Sequence, residues 1–457
     1  MNRIESSFRD PDGFMFEFEK EIFRVVNLSY QPDYDHLLSS GLYGKLISQE
    51  LIVPFEEVNS AQFGLSDFYK VLKPERIKFI SYPYEWSFSM LKDAAILTLK
   101  IQKLAMEYGM SLKDATAYNI QFHKGKPIFI DTLSFELYPI NRPWVAYRQF
   151  CQHFLAPLAL ISRIDPGLIR MFIIHLDGIP LDLAAKMLPF RSRLNIDLYL
   201  NIFLHAWSQK KHNADEISLV QVRRKFSLSS MISLVEGLEA SVLKQCWNAK
   251  GSEWAYYYDE DVHSSEYSQF KKRVISGWFD EVKPGSIWDL GANRGDYSRL
   301  AAQKGIDVIS FDLDPVCVEM NYTNVKKNKE TNILPLLLDI LNASPSIGWG
   351  CAERPSFYNR NRPDMVLALA LIHHLAISAN IPLALIARLF AGLSDHLIIE
   401  FVPKEDDKVK ILLLNREDVF ADYTQTNFEK AMSVYFRIEQ KIPVDYNNRV
   451  FYLMSLQ

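Results

Sequence analysis

The chain has 457 residues, nearly half of them apolar, and a formal charge of −4. That length holds two or three domains with large cores, and the mild acidic balance argues against a general nucleic-acid binder. Four cysteines, Cys151, Cys246, Cys317 and Cys351, lack C-x-x-C spacing; they point to neither zinc nor a disulfide framework and suit a reducing compartment. The first twelve residues are charged and polar, so no secretory signal is expected, and the longest apolar stretch, Phe154 to Ile161, is too short to span a membrane. A soluble cytoplasmic protein without a membrane partner is the expectation.

Residues 1–39 are polar with scattered aromatics and are expected to form an N-terminal arm, irregular or helical. Within Tyr43 to Val58 two short runs, Lys45-Leu-Ile-Ser and Glu50-Leu-Ile-Val-Pro-Phe, read as strands, and Ile77 to Tyr84 reads as another extended run. Ser89 to Glu107 is an amphipathic helix, with Ala94, Leu97, Ile101, Leu104 and Ala105 on one face and Gly109 as its stop.

The segment Leu112 to Asp131 follows. Asp114 and Asn119 stand at D-x-x-x-x-N spacing, a hairpin turns at Lys124-Gly125-Lys126, and its second strand ends in Asp131. This resembles the catalytic loop of kinases and aminoglycoside phosphotransferases, and the resemblance implies an α+β kinase-like domain over 40–240. It implies that Asp114 orients an acceptor hydroxyl and that Asn119 and Asp131 hold Mg²⁺ against ATP. The sequence departs from that family in several places. No His precedes Asp114, Thr132 follows Asp131 where an aromatic is usual, no Gly-rich phosphate loop lies upstream, and the lysine has only Lys45 and Lys73 as candidates. A plain hairpin with polar turn residues is the alternative.

Residues 140–250 read as helical, with a loop-like break at Lys210 to Glu216. An aromatic helical linker over 241–283 contains Trp254, Tyr256, Tyr257 and Tyr258, which suit either a cap over a ligand or a packed linker. Ser268 to Val282 reads as a helix leading into the last domain, 284–457.

That domain opens on Ile287-Trp-Asp-Leu-Gly-Ala-Asn-Arg-Gly-Asp-Tyr-Ser298, a strand, a Gly-rich turn and a helix start capped by Asp296 or Ser298. The pattern D-x-G-x-x-x-G lacks the spacing of a dinucleotide site. The next strand, Asp307 to Asp312, ends in an acid near the ~20-residue spacing of nucleotide-binding βαβ units, and Asp314-Pro315 opens a helix. A third strand, Ile333 to Leu338, ends at Asp339. Met365 to Ala370 and Leu397 to Val402 are the fourth and fifth, and Phe436 to Ile442 with Arg449 to Met454 reads as a closing antiparallel pair.

These motifs resemble class I S-adenosylmethionine-dependent methyltransferases, with Asn293 standing where the family usually has a Gly. Asn tolerates the left-handed backbone best after Gly, so the exchange is mild. The resemblance implies an α/β, Rossmann-like, seven-stranded fold with S-adenosylmethionine as cofactor. By that resemblance Asp289, Gly291, Asn293 and Gly295 face its methionine part, Asp312 with Leu313 takes the ribose, and Asp339 with Ile340 takes the adenine. Ala370 at the end of the fourth strand completes the cofactor set. The whole chain also resembles bacterial methyltransferases related to host-specific nodulation proteins.

On the acceptor side His373, His374 and Glu400 are the candidate proton acceptors, because they follow the fourth strand or end the fifth. No Asn-Pro-Pro-Tyr-type motif is present, so methylation of base amino groups is disfavoured and an oxygen of a small-molecule or sugar-like acceptor is expected. Two other readings stand beside this one: a bifunctional enzyme that also transfers phosphate, and a binding protein built from degenerate folds. The sequence leaves the oligomeric state open.

Overall fold

A computed structural model describes residues 2–64, 67–139, 141–207, 227–252, 265–414, 418–444 and 448–457. The loop-like break 210–216 and Trp254, Tyr256, Tyr257 and Tyr258 lie outside them. The chain divides into two compact units, Met1–Asn248 with Ser346–Pro355, and Ala249–Pro345 with Ser356–Gln457. Among the described residues no helix is long and apolar enough to cross a membrane.

The first unit departs from expectation at its start. Residues 1–39, read as an arm, supply β1 (Asn2–Arg3), β2 (Gly13–Phe18) and β3 (Glu21–Val26), which join β4 (Phe55–Val58) and β5 (Lys70–Pro74) in a sheet of order β1-β2-β3-β5-β4. The scattered aromatics are its apolar face: the ring centroids of Phe16 and Phe23 lie 5.3 Å apart, and each packs on Phe63. The hairpin turns on Glu19 and Lys20, both in the left-handed region (φ 51° and 66°), without the Gly or Asn that usually marks such a turn.

Lys45-Leu-Ile-Ser is helical rather than extended, inside Leu42–Ser48. The run Ile77 to Tyr84 is not a strand either, because its polar partner is a side chain. The Gln121 carboxamide accepts from Ser81 N and donates to Ser81 O, both at 2.9 Å. The helix Phe88–Glu107 forms as expected and buries thirteen residues, Ala94, Leu97, Ile101, Leu104 and Ala105 among them. After it come β6 (Met110–Leu112), the hairpin β7 (Ile120–His123) and β8 (Lys126–Phe129), and β9 (Phe135–Leu137), which pairs back on β6.

The second unit carries one sheet of seven strands: β10 (Ser286–Leu290), β11 (Asp307–Asp312), β12 (Ile333–Leu337), β13 (Met365–Ala368), β14 (His396–Phe401), β15 (Phe436–Pro443) and β16 (Val450–Leu456). Their order is β12-β11-β10-β13-β14-β16-β15. The first five strands run parallel, and β16 lies antiparallel between β14 and β15. Alternation along β10 sends Ile287 and Trp288 to opposite faces. Ile287 joins Tyr267, Ile275, Trp278 and Phe279 from the helix Ser265–Val282 and Phe451 from β16 in one core. Trp288 packs with Phe311 and Phe357 in an aromatic cluster, centroids 4.8–5.5 Å apart.

Candidate active site

Parallel strands with helical crossovers deliver their loops to one edge, the carboxyl ends of the strands, where ligands bind in open α/β sheets. The turn after β10 sits there. Gly291, Asn293 and Gly295 all take the left-handed region (φ 76°, 51° and 81°), so the residue types follow the backbone. The turn is stitched to β11: Gly291 N and Ala292 N donate to Phe311 O at 2.9 Å, and Asn293 N donates to the Asp312 carboxylate at 2.7 Å. A Cβ on Gly295 would stand 2.6 Å from the Asn321 carboxamide, which fills the space beneath. Gly295 is also the N-cap of the helix Asp296–Ala302, so neither Asp296 nor Ser298 caps it.

Ser298 has another task. Its hydroxyl donates to the Asp289 carboxylate at 2.6 Å and accepts from Ser310 at 2.6 Å. Asp289 is 2% exposed. Burial, with some help from the charge of Asp312, pushes its carboxyl up to about 7, against the hydrogen bond from Ser298 and the pull of Lys271.

The Asp312 carboxylate also accepts from Asp314 N at 2.9 Å. Burial pushes it up to about 6 although the backbone donors Asp314, Asn293 and Leu313 oppose the shift. A carboxylate has about four lone-pair sites, so with Asn293, Asp314 and Leu313 donating roughly one remains for a ligand hydroxyl. Asp314 caps the next helix through Val316 N, with Pro315 at its first position, as expected. Asp339 accepts from Leu341 N at 3.0 Å and stays partly exposed, as does Ile340. Leu313, Leu341 and Tyr358 leave about half of their surface open, and the Tyr358 phenol is pushed up by burial and by the charge of Asp339. These three apolar surfaces therefore lie by the two acids that end β11 and β12.

On the far side of β10, Ala370 follows β13 in the left-handed region (φ 49°), a strained place for a residue with a Cβ. Leu371 next to it lies 3.7 Å from the Cβ position of Gly291, which brings the β10 and β13 turns together. His373 is buried, and its Nδ1 has no hydrogen-bond partner. Its ring centroid is 4.1 Å from that of His374, which opens a wide, π-type turn, His374–Ser378. Burial, then His374 and the cations Arg449 and Lys271, hold His373 well below the ordinary imidazole value; Glu400 opposes them. It is neutral near pH 7.

Glu400 does not suit the role of proton acceptor. It is fully buried; Lys271 holds one oxygen at 2.6 Å, and Arg449 (3.0 Å) and Tyr267 (2.6 Å) hold the other. Burial alone would raise its carboxyl, but the two cations overcome this and hold it well below the usual range. It is an internal counter-ion. Arg449 is tied in turn to Asp406 at 2.8 Å.

In the first unit Asp114, Asn119 and Asp131 converge. Asn119 donates to Ser134 at 3.0 Å, Ser134 donates to Asp131 at 2.5 Å, and Asp114 accepts from Thr116 N and Gln149. Burial and the charge of Asp131 push the Asp114 carboxyl up. The cation that reaches Asp131 is Arg24, 3.1 Å away on β3 and also paired with Asp10. Lys45 is exposed on its helix and Lys73 pairs with Glu21, so neither takes the expected lysine's place. Among the described residues no group of three His, Cys, Asp or Glu side chains is placed to hold a metal.

No family model matches the chain. The nodulation protein NoeA of Rhizobium meliloti (strain 1021) is 34% identical over 462 aligned positions, covering 98% of this chain and 95% of NoeA. The chain belongs to the NoeA family. Among solved structures it is similar to the PH0226 protein of Pyrococcus horikoshii OT3 (16% identity, 45% of this chain and all of that one, TM-score 0.34). It is also similar to magnesium protoporphyrin IX methyltransferase of Synechocystis PCC 6803 with bound SAH (17% identity, 42% and 84%, TM-score 0.31). What fixes the fold is the sheet itself. Five parallel strands ordered 3-2-1-4-5, closed by an antiparallel seventh between the fifth and the sixth, make the class I S-adenosylmethionine-dependent methyltransferase fold.

Three residues of this NoeA-family site escaped the sequence reading. Lys271 and Arg449 stand 129 and 49 positions from Glu400, and no local pattern ties them together. Tyr358 lacked any motif, although its neighbour Phe357 in an otherwise polar stretch was a signal that the segment returns to the core.

Proposed function

We propose that this protein transfers a methyl group from S-adenosylmethionine to an oxygen of a small, sugar-like acceptor. The observation that carries the reading is the set of acids, Asp289, Asp312 and Asp339, at the ends of three adjacent strands, the first two pushed up by burial toward neutrality. Buried carboxylates are unfavourable unless something uses them.

The residues fit the cofactor. Asp289 faces its ammonium, Asp312 offers its remaining acceptor site to a ribose hydroxyl, and Asp339 takes the adenine amino group, with Leu313, Ile340 and Tyr358 as apolar flanks. Gly291 and Asn293 let the backbone approach, and Ala370 borders the site from β13. The cofactor supplies a methyl group already activated on a sulfonium. The protein's share is to bind, exclude water and aim the acceptor. His373 is the proposed base: neutral, buried, with an Nδ1 free to take the proton of a hydroxyl. His374 packs on it and fixes the ring. The setting we propose is cytoplasmic, in keeping with the free cysteines.

Calorimetric titration with S-adenosylmethionine tests this. Wild type binds and Asp312→Ala does not; His373→Ala binds the cofactor but transfers no labelled methyl to a pool of small metabolites. Equal binding by wild type and Asp312→Ala refutes the site.

A second reading, phosphate transfer from ATP with Mg²⁺ in the first unit, is favoured by the convergence of Asp114, Asn119 and Asp131. The donor set fits a metal poorly, because Asn119 is engaged by Ser134 and Asp131 by Ser134 and Arg24. A cation would have to displace that guanidinium. ATP-dependent product lost in Asp131→Ala would support this reading.

A further inference from the structure

The second unit holds a cavity of about 750 Å³ that the cofactor contacts do not use. Its size suits a small molecule. The registers Phe401↔Val450 and Pro443↔Val450 set three of its lining residues side by side across β14, β16 and β15. It therefore lies at the carboxyl edge of the sheet, the edge that carries the three acids. Strands are ~4.8 Å apart, so the cavity begins one strand beyond β13, which leads to His373. Along the edge the order is adenine acid, ribose acid, ammonium acid, His373, cavity.

The lining says what it takes. Pro403 and Pro443 give an apolar wall over the buried Phe401, and Tyr423 is locked in place by its hydroxyl, which donates to Val402 O at 2.7 Å. Among the described lining residues the two cations are already neutralised: Lys404 meets Asp418 at 2.8 Å, and Lys441 meets Glu429 at 2.7 Å. Glu405 adds a further negative charge. The described lining residues offer an anion no net attraction. Thr424 and Asn448 offer neutral donors and acceptors over the apolar wall.

We propose that this cavity is the acceptor subsite and takes a neutral, hydroxyl-rich ring such as a glycosyl unit; the proposal rests on the methyl-transfer reading above. The ring's apolar face lies against Pro403 and Pro443, and its hydroxyls meet the polar side.

The test is saturation-transfer NMR on the full-length protein with the methyl glycosides of glucose, N-acetylglucosamine and fucose, beside glucose 6-phosphate and benzoate. At least one neutral glycoside is expected to receive transfer. Lys441→Trp, which fills the cavity from an exposed strand position, is expected to cut the signal by roughly fivefold or more, and so is Lys404→Trp from the β14 side. Unchanged S-adenosylmethionine affinity in these variants reports that they are folded. Asp312→Ala is expected to lose cofactor and keep the glycoside. Transfer to the charged or aromatic probes alone, no transfer at all, or a signal indifferent to both Trp variants overturns the proposal. Wild type that binds cofactor but no neutral glycoside leaves methyl transfer standing and removes this subsite. Wild type that binds glycoside but no cofactor removes the acceptor role.

Discussion

Asp289→Asn should make the second unit more stable and useless at once. In the folded protein the Asp289 carboxyl titrates near 7, against an ordinary value of 3.8. The folded state therefore keeps a proton that the unfolded chain loses between those values, and stability falls as pH rises from about 4 to about 7. Three pH units at 1.36 kcal/mol each put the loss at roughly 4 kcal/mol by pH 8. Asn keeps the hydrogen bond from Ser298 and carries no charge, so the variant escapes that loss. Urea denaturation should find it roughly 3–4 kcal/mol more stable than wild type at pH 8 and nearly equal to it at pH 4. Calorimetry should find cofactor binding gone. In wild type, binding needs the carboxylate to face the cofactor's ammonium, so affinity should fall about tenfold per pH unit below 7. A variant destabilised equally at both pH values refutes the argument, since the buried charge would then not be the dominant cost.

Lys271→Met leaves Glu400 buried with one cation fewer and should lose about 3–5 kcal/mol in urea unfolding, with Lys271→Met/Glu400→Gln recovering much of it. Gly295→Ala combines φ 81° with a Cβ 2.6 Å from Asn321; a loss of about 2 kcal/mol or more and a weakened cofactor site are expected by melting and titration. Ala370→Gly relieves the left-handed Ala against the cost of a freer unfolded chain, so a net gain of at most about 1 kcal/mol is expected in a thermal melt.

The cofactor half was legible because its signals are local. A strand that ends in an acid, and a turn whose residues tolerate left-handed backbone, declare themselves within a dozen residues, and Asn293 at φ 51° is such a case. Glu400 was misread for the opposite reason. An acid at a strand end reads the same whether it faces a ligand or an internal cation, and the cations lie on distant elements. The first hairpin was missed because Glu19 and Lys20 turn without a glycine, and the Ile77 run was mistaken for a strand because Gln121 supplies the hydrogen bonds a strand would have made. Ser298 was expected at a helix start by its spacing alone, whereas a neighbouring buried carboxylate claims its hydroxyl.

The placing of β16 has a consequence for how the second unit is made. This strand, Val450–Leu456, is wedged between two strands that precede it in the chain, β14 and β15. Until it emerges from the ribosome, β14 has a bare edge, β15 has nothing to pair with, and Arg449 has not reached Glu400. Vectorial synthesis can assemble β10 to β13 early but cannot finish the sheet. A nascent or truncated chain that stops short of residue 450 would present sticky backbone to its neighbours, so truncation there should yield aggregate rather than a smaller methyltransferase fold.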